Sequence, residues 1–333
     1  MGVLFLLLAF GIWFLFSRSV PPDATTTFGL TAGGAAKVIP DLKLPAQATL
    51  TALASLCAFF GAVQLVRARG FGKRTNLVLG IVAGLFVLGF LVWAAAGKSL
   101  NMAGLLNSTL SKAVPLTLGA LAALLCERAG VVNIAIEGMM LAGAMTGALV
   151  GSVVGNLWIG LAAAVLVGGL LGVIHGVLSI KYKINQIISG TVINIFATGL
   201  TSYISAKFLQ KYQELNNPGT FKAFELPVLS KIPLVGPILF DNNIFVYAMF
   251  IFLIVIHVAL FFTRWGLRLR SVGEHPKAAD TLGINVFRTR YMAVILGSMM
   301  AGFAGGYFTL GSVGRFDEVM TAGRGFIAIA GIV

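Results

Sequence analysis

IFVYAMFIFLIVIHVALFFT, residues 244–263, contains no Asp, Glu, Lys or Arg. About 20 mostly apolar residues are what an α-helix needs to cross about 30 Å of hydrocarbon. Similar runs fall near 1–16, 48–66, 77–96, 113–126, 131–154, 157–180, 184–209 and 291–313, and one more starts near 325 and reaches Val333. The run 113–126 is short for a span and reads as tilted or as half of a broken helix. Of 333 residues, 58% are apolar and 11% charged, where soluble domains average roughly 25% charged. With a mean hydropathy of +0.95, too few polar residues remain to cover a water-soluble core. The fold class that follows is all-α, a polytopic membrane helix bundle with about 9–10 transmembrane segments. A secreted disulfide scaffold, a disordered chain and a cytosolic enzyme are excluded. Cys57 and Cys126 lie in apolar runs without metal-ligand spacing and read as small buried hydrophobes.

The net charge of +13 reports topology rather than nucleic acid, because the basic residues sit in short gaps between apolar runs. A nucleic-acid binder gathers them on a soluble face interleaved with aromatics. Arg67, Arg69, Lys73 and Arg74 form an acid-free loop, which belongs in the cytoplasm. The stretch 264–290 carries Arg264, Arg268, Arg270, Lys277, Arg288 and Arg290 against Glu274 and Asp280, and belongs there too. Six runs separate the two, and an even number returns the chain to the same side. The turn Lys181-Tyr-Lys183 then falls inside, and 17–47 and 210–243 fall outside. The second of these, with Pro218, Pro227, Pro233 and Pro237, resembles a capping or docking surface. The first run lacks a positive leader and a cleavage site and reads as an uncleaved anchor.

Gly143, Gly147, Gly151 and Gly155 recur every fourth residue, as do Gly168, Gly172 and Gly176, and then Gly302 and Gly306. That spacing places them on single helix faces where another backbone approaches closely. Glu137 stands in an apolar run, where an acid is costly unless paired or facing water. Two readings are open: a structural ion pair of Glu127 or Glu137 with Arg128 or another arginine, and a place on a solute pathway. Asn133, Asn185, Gln186, Thr191 and Asn194 add hydrogen-bonding capacity that suits a neutral, hydroxyl-rich solute, or equally serves as glue between helices. His175 and His257 read as packed or hydrogen-bonded rather than as metal ligands, and His275 as solvated. Gly97-Lys98-Ser99 imitates the end of a phosphate-binding loop, but position 92 is Val where that motif needs Gly.

Between Arg264 and Arg290, Pro276-Lys-Ala-Ala-Asp-Thr-Leu282 reads as a short surface helix with Pro in its first turn and Gly283 closing it. Ala278, Ala279, Leu282 and Ile284 would offer a small apolar knob, and so short a helix needs a partner to hold it. A plain basic connector is the other reading of the same residues.

This loop, with Gly273-Glu274, Ala278-Ala279 and Gly283-Ile284-Asn285, resembles the ATPase-contacting segment of permease subunits of bacterial ABC importers for simple sugars and nucleosides. Three other segments are similar to that family's signatures: Glu127-Arg-Ala-Gly130-Val-Val-Asn133-Ile-Ala-Ile-Glu137-Gly138-Met-Met, Asn185-Gln-Ile-Ile-Ser-Gly190-Thr-Val-Ile-Asn194 and Met320-Thr-Ala-Gly323-Arg324-Gly325-Phe326. The four occur in order over about 105–333. Branched-chain amino-acid permeases share the fold, but the Glu127-Arg128 opening looks more like the nucleoside branch. The resemblance implies a non-catalytic, multi-pass subunit of the bacterial inner membrane. It would work with a second permease, a cytoplasmic ATPase with two nucleotide-binding domains and an extracytoplasmic solute-binding protein or lipoprotein. No cofactor, metal or nucleic acid is expected on this chain, and ATP and Mg belong to the ATPase. Glu127, Asn133, Glu137, Asn185 and Asn194 become substrate-pathway candidates. Gly273, Glu274, Pro276, Ala278, Ala279, Leu282, Gly283 and Ile284 become ATPase-coupling candidates. Residues 1–100 form a peripheral transmembrane extension to a 101–333 core, and the stop at Val333 inside an apolar run predicts that the core is cut short there. The competing class is an ion-gradient-driven secondary transporter, for which Glu137 is the supporting residue.

Overall fold

Backbone N–H and C=O groups have no water to bond in hydrocarbon, so long apolar runs satisfy them internally as helices. The computed structural model describes residues 1–31, 39–67, 70–233 and 235–332. Arg69 and Val333, both used in the sequence reading, lie outside the described residues. Among the described residues, nine helices are long and apolar enough to cross a membrane. In chain order the first seven helices are α1 (Gly2–Gly11), α2 (Ala46–Val66), α3 (Thr75–Ala94), α4 (Met102–Glu127), α5 (Ile136–Val154), α6 (Leu157–Gly176) and α7 (Gln186–Ile204). The remainder are α8 (Val235–Leu239), α9 (Ile244–Phe262), α10 (Arg264–Glu274), α11 (Pro276–Thr281), α12 (Val286–Gly306) and α13 (Arg324–Ala330). Wider π-type turns extend α1, α6, α7 and α12 to complete their spans.

The chain forms two compact units. The first comprises Met1–Asn107 with Pro227–Phe240. Its α1, α2 and α3 pack through Phe5, Ile12, Leu50, Cys57 and Val82, all fully buried. A small sheet carries β1 (Thr25–Gly29) between antiparallel β2 (Leu42–Pro45) and parallel β3 (Ser99–Asn101), with Thr25 opposite Pro45 and Thr27 opposite Ser99. The second unit, Ser108–Leu226 with Asp241–Val333, is built around α5, α6 and α12. In it β4 (Phe224–Glu225) pairs antiparallel with β5 (Asp241–Asn242).

Glycine sets how closely these three helices approach. A Cβ at Gly143 would lie 2.7 Å from the Gly302 carbonyl oxygen, and one at Gly160 2.7 Å from that of Gly147. Gly168 faces the Ser298 and Gly302 backbones, and Gly302 faces the Ala164 carbonyl. The four-residue glycine spacing is thus a helix-packing surface. Gly155 departs from it by ending α5 in the left-handed conformation, φ +67°.

Two boundaries differ from the sequence expectation. The short run 113–126 belongs to the continuous 26-residue α4, whose first half carries Asn107, Ser108, Thr109, Ser111 and Lys112 and so lacks an apolar signature. Pro115 inside it removes the N–H that would bond the Ser111 carbonyl, and the Tyr307 hydroxyl donates to that oxygen at 2.7 Å instead. The run 131–154 is helical only from Ile136, for the reason developed below.

Gly302→Leu is expected to destabilise the bundle by about 3 kcal/mol or more through overpacking. Gly199→Leu, with open space around its Cα, should change stability by less than about 0.5 kcal/mol. Thermal unfolding of the two variants in detergent reads the difference.

Candidate functional site

Residues 128–135 join α4 to α5 without helix. Irregular backbone at membrane depth survives only where it is buried and its polar groups are paired. Val131 N–H donates to the Cys126 carbonyl at 3.1 Å. Val132 N–H donates to Gln186 Oε1 at 2.7 Å, and the Val132 carbonyl lies 3.2 Å from His175 Nε2. Asn133 Oδ1 accepts from Ala135 N–H at 3.0 Å, while its Nδ2 donates to Ser298 Oγ at 3.3 Å. Asn194 takes both sides of the break: Nδ2 donates to the Ile134 carbonyl at 2.9 Å, and Oδ1 accepts Gly138 N–H at 2.8 Å. His175 Nδ1 is anchored 3.1 Å from Ser189 Oγ. Side chains from α6, α7 and α12 therefore replace the missing helix bonds.

A second irregular stretch, 314–323, leads from the end of the α12 span to α13. Asn216 holds its start, with Oδ1 accepting Phe316 N–H at 2.7 Å and Nδ2 donating to the Phe316 carbonyl at 2.9 Å. Glu137 holds its end. Its Oε1 accepts the Thr321 hydroxyl at 2.6 Å and Gly323 N–H at 2.8 Å, and its Oε2 accepts Gly325 N–H at 2.6 Å. Backbone contact is equally close, since a Cβ on Gly325 would stand 2.6 Å from Glu137 Cα. Arg324 Nη1 donates to the Met320 carbonyl at 3.0 Å, and its guanidinium lies 5.3 Å from the Phe308 ring centroid. Between the two anchors Val319 and Ala322 adopt φ of +53° and +47°, which costs on the order of 1–3 kcal/mol each for residues with a Cβ. The anchors hold that strain in place.

Of the pathway candidates, the fold brings Asn133, Glu137 and Asn194 together, all buried. Among the described residues the partners of Glu137 are a hydroxyl and backbone N–H groups rather than an arginine. The nearby Arg290 Nε donates to the Ala129 carbonyl at 3.2 Å. Asn185 stands apart as the N-cap of α7, accepting from Ile187 N–H at 2.9 Å. Glu127 ends α4 and is exposed, lining a cavity of about 270 Å3 with Arg128, Arg270, Gly273 and Glu274. The Arg270 Nε is buried there without a hydrogen-bond partner among the described residues. Thr321 and Ser189 lie in the quoted family-like segments but, like Ser298, were given no role by the sequence. Thr321 was nonetheless signalled by its place in a polar interruption of the last apolar run.

The coupling candidates surround α10 and α11. Leu269 and Val272 of α10 are fully buried, Leu269 packing with Leu125, Leu260 and Ala293. Gly273 sits against the Arg128 carbonyl so closely that a Cβ there would overlap it. Glu274 ends α10, and Pro276 opens α11. His275 Nδ1 caps α11 by accepting Ala278 N–H at 3.2 Å, which explains the residue better than solvation alone. Ala279 is buried and its carbonyl accepts Ile284 N–H at 3.1 Å, while Gly283 turns the chain at φ +79°. Ala278 is exposed, and Leu282 is 81% exposed. Of the expected apolar knob, then, Ala279 is buried, Ile284 is half-buried and Leu282 forms the tip.

Residues 105–333 match the family described as the branched-chain amino acid transport system permease component. The chain is 38% identical over 233 residues to the guanosine ABC transporter permease protein NupQ of Bacillus subtilis (strain 168), covering 68% of this chain and 73% of that protein. It is also 38% identical over 235 residues to the putative glucose ABC transporter permease protein TsgC13 of Haloferax volcanii, covering 69% and 70%. Against the nucleoside ABC transporter permease protein NupC of Lactococcus lactis subsp. cremoris the identity is 33% over 226 residues, covering 66% and 71%. No solved structure shows a significant match.

Glu137→Gln places an amide donor among groups that all donate to Glu137, and should lower unfolding stability by about 1–3 kcal/mol. Asn185→Ala removes only a helix cap and should cost about 1 kcal/mol. Chemical denaturation in nanodiscs compares them; a Glu137→Gln variant as stable as the wild type would show that the carboxylate carries none of the clamp.

Proposed function

Because the chain belongs to the branched-chain amino acid transport system permease-component family, we propose that it is the membrane-spanning subunit of an ATP-driven importer that takes up nucleosides or a related simple sugar. It is a multi-pass protein of the inner membrane and a non-catalytic component of its transporter. The observation that carries the substrate class is the identity of 33–38% to permeases named for guanosine, nucleosides and glucose. Neutral hydroxyl and amide groups at the centre of the second unit are compatible with such solutes.

In this reading ATP and Mg reside on cytoplasmic ATPases, an external binding protein delivers the solute, and a second permease completes the path. Glu127, Asn133, Glu137 and Asn194 line or support that path in the second unit, and Asn185 fixes the start of α7. ATPase closure would be felt through 271–287. The buried Ala279 and the contact of Gly273 with Arg128 supply a stiff link from α10 and α11 to residues 128–135. A population shift between inward- and outward-open states then needs only a partner that favours one position of this link. A proton taken up by Glu137 would compete with the three donors that converge on its carboxylate, which weighs against an ion-gradient-driven carrier.

The test is uptake of labelled guanosine, glucose and leucine by cells that make the whole transporter. Guanosine or glucose uptake that stops when ATP hydrolysis is blocked supports the reading, whereas leucine uptake alone would assign the branched-chain solute. Leu282→Asp puts a charge at the exposed tip of the coupling segment and should reduce uptake by about tenfold or more, the effect of losing an interface hot spot. Insertion and thermal stability should be unchanged, since Leu282 is 81% exposed. Unchanged uptake in that variant would remove 271–287 from the coupling role.

A further inference from the structure

At the end of the second unit where the α7 and α12 spans finish lies an open cavity of about 750 Å3. That is within the 300–1,000 Å3 of small-molecule sites. It lies at the far end of the α12 span from the coupling segment, the end that charge distribution places outside the cell. Its walls are chemically lopsided. Gln210, Gln213, Asn216 and Asn217 present amides, and Glu214, Asp317 and Glu318 present carboxylates. The one cation on the wall among the described residues, Arg315, is occupied, with Nε 3.2 Å from Asp317 Oδ1. Glu214 and Glu318 have no ion pair among the described residues, so the cavity carries net negative charge.

A second feature lies at its base. Ser205 lines the cavity and is only 3% exposed. Its backbone N–H bonds to the Ser202 and Thr201 carbonyls and its own carbonyl accepts Gln210 N–H. Its hydroxyl has no hydrogen-bond partner among the described residues and is not sealed from the cavity, which leaves a donor and acceptor free on the wall. A hydroxyl so placed is free to bond a ligand or water.

Acceptors outnumber donors on these walls, carboxylates accept from hydroxyls, and an uncompensated negative field repels phosphate. We infer that this cavity is a solute-binding site for an uncharged, hydroxyl-rich ring, the ribose of an unphosphorylated nucleoside or a free monosaccharide. The inference rests on the proposed function and adds to it a place and a charge rule. The site also has a mechanical outlet. Asn216 on its wall holds both backbone groups of Phe316, and Phe316 opens the strained stretch whose other end Glu137 grips. A solute held between Glu214 and Glu318 thus touches the segment that runs to the buried clamp.

The experiment uses the full chain in nanodiscs for binding and the whole transporter in vesicles for uptake, with uridine, ribose, uridine monophosphate and leucine as probes. Saturation-transfer NMR on the full chain is expected to show uridine and ribose bound and uridine monophosphate excluded. Glu318→Lys should weaken uridine binding and raise the KM of uptake by about tenfold, as expected for loss of a hydrogen bond to a charged group. Glu214→Lys should act in the same direction, and Ser205→Ala should raise KM about threefold with kcat unchanged.

Equal binding of uridine and its monophosphate, or uptake with wild-type KM in both charge-reversed variants, would overturn the site while leaving the transport function standing. Charge-reversed variants that lose the external binding protein from the purified complex while their chain binds uridine as the wild type does would also overturn it and make the cavity a protein-docking surface. A wild-type transporter that takes up leucine and neither nucleoside nor monosaccharide would overturn the proposed function, and the binding measurement still reads the site separately.

Discussion

The Glu137 carboxylate accepts a hydroxyl and two backbone N–H groups from a stretch of chain more than 180 positions away. In water three such bonds to a charged group would contribute about 1.5–3 kcal/mol each. In a membrane interior the alternative for those N–H groups is no partner at all, at several kcal/mol apiece. That asymmetry lets a polypeptide leave helical geometry at Gly314 and re-enter it at α13. The same logic governs the opposite side of Glu137, where Asn133, His175, Gln186 and Asn194 complete the bonds of residues 128–135. Two interrupted segments thus meet at the start of α5, and each depends on side chains supplied from elsewhere in the unit.

Such an arrangement is close-packed in its helices and irregular at its breaks. The α5, α6 and α12 backbones meet through Gly143, Gly168 and Gly302, with no side chain between them. Shear within that trio would collide backbone with backbone. The interrupted stretches differ. Val319 and Ala322 hold left-handed backbone, and residues 128–130 touch both Gly273 of α10 and Arg290 of α12. In the proposed transport cycle these stretches are where the backbone would move. One such stretch begins beside the polar cavity and the other beside the coupling helices, and they meet at Glu137.

Much of the architecture was legible in residue order alone. Runs such as 244–263 and 157–180 need only length and apolarity, and they are helices with bounds within a residue or two. The start of α11 at Pro276 and its closing Gly283 were equally readable, because Pro at a first turn and Gly after a last one are local signals, whereas its cap, His275, was not. Failures share one cause. The run 131–154 looks continuous because Val131, Val132, Ile134 and Ala135 are as apolar as any helix. What breaks it is bonding to Gln186 and Asn194, more than 50 positions on. The α4 helix looks short because its first half is polar, and its proline is tolerated because Tyr307 takes the freed carbonyl. The polar candidates were picked out by their cost in lipid, but their roles were not, since Asn185 as a cap and Asn194 as a bridge differ only in what lies across from them.

Hydrogen–deuterium exchange of the 316–326 peptide in nanodiscs tests the central claim most directly. If Glu137 holds this stretch, the Gly323 and Gly325 amides should exchange at least about 100-fold more slowly than an open loop. They should lose that protection in Glu137→Ala while the α5 and α6 peptides keep theirs. Exchange in the wild type as fast as in an exposed loop, or protection that survives Glu137→Ala, would contradict the account.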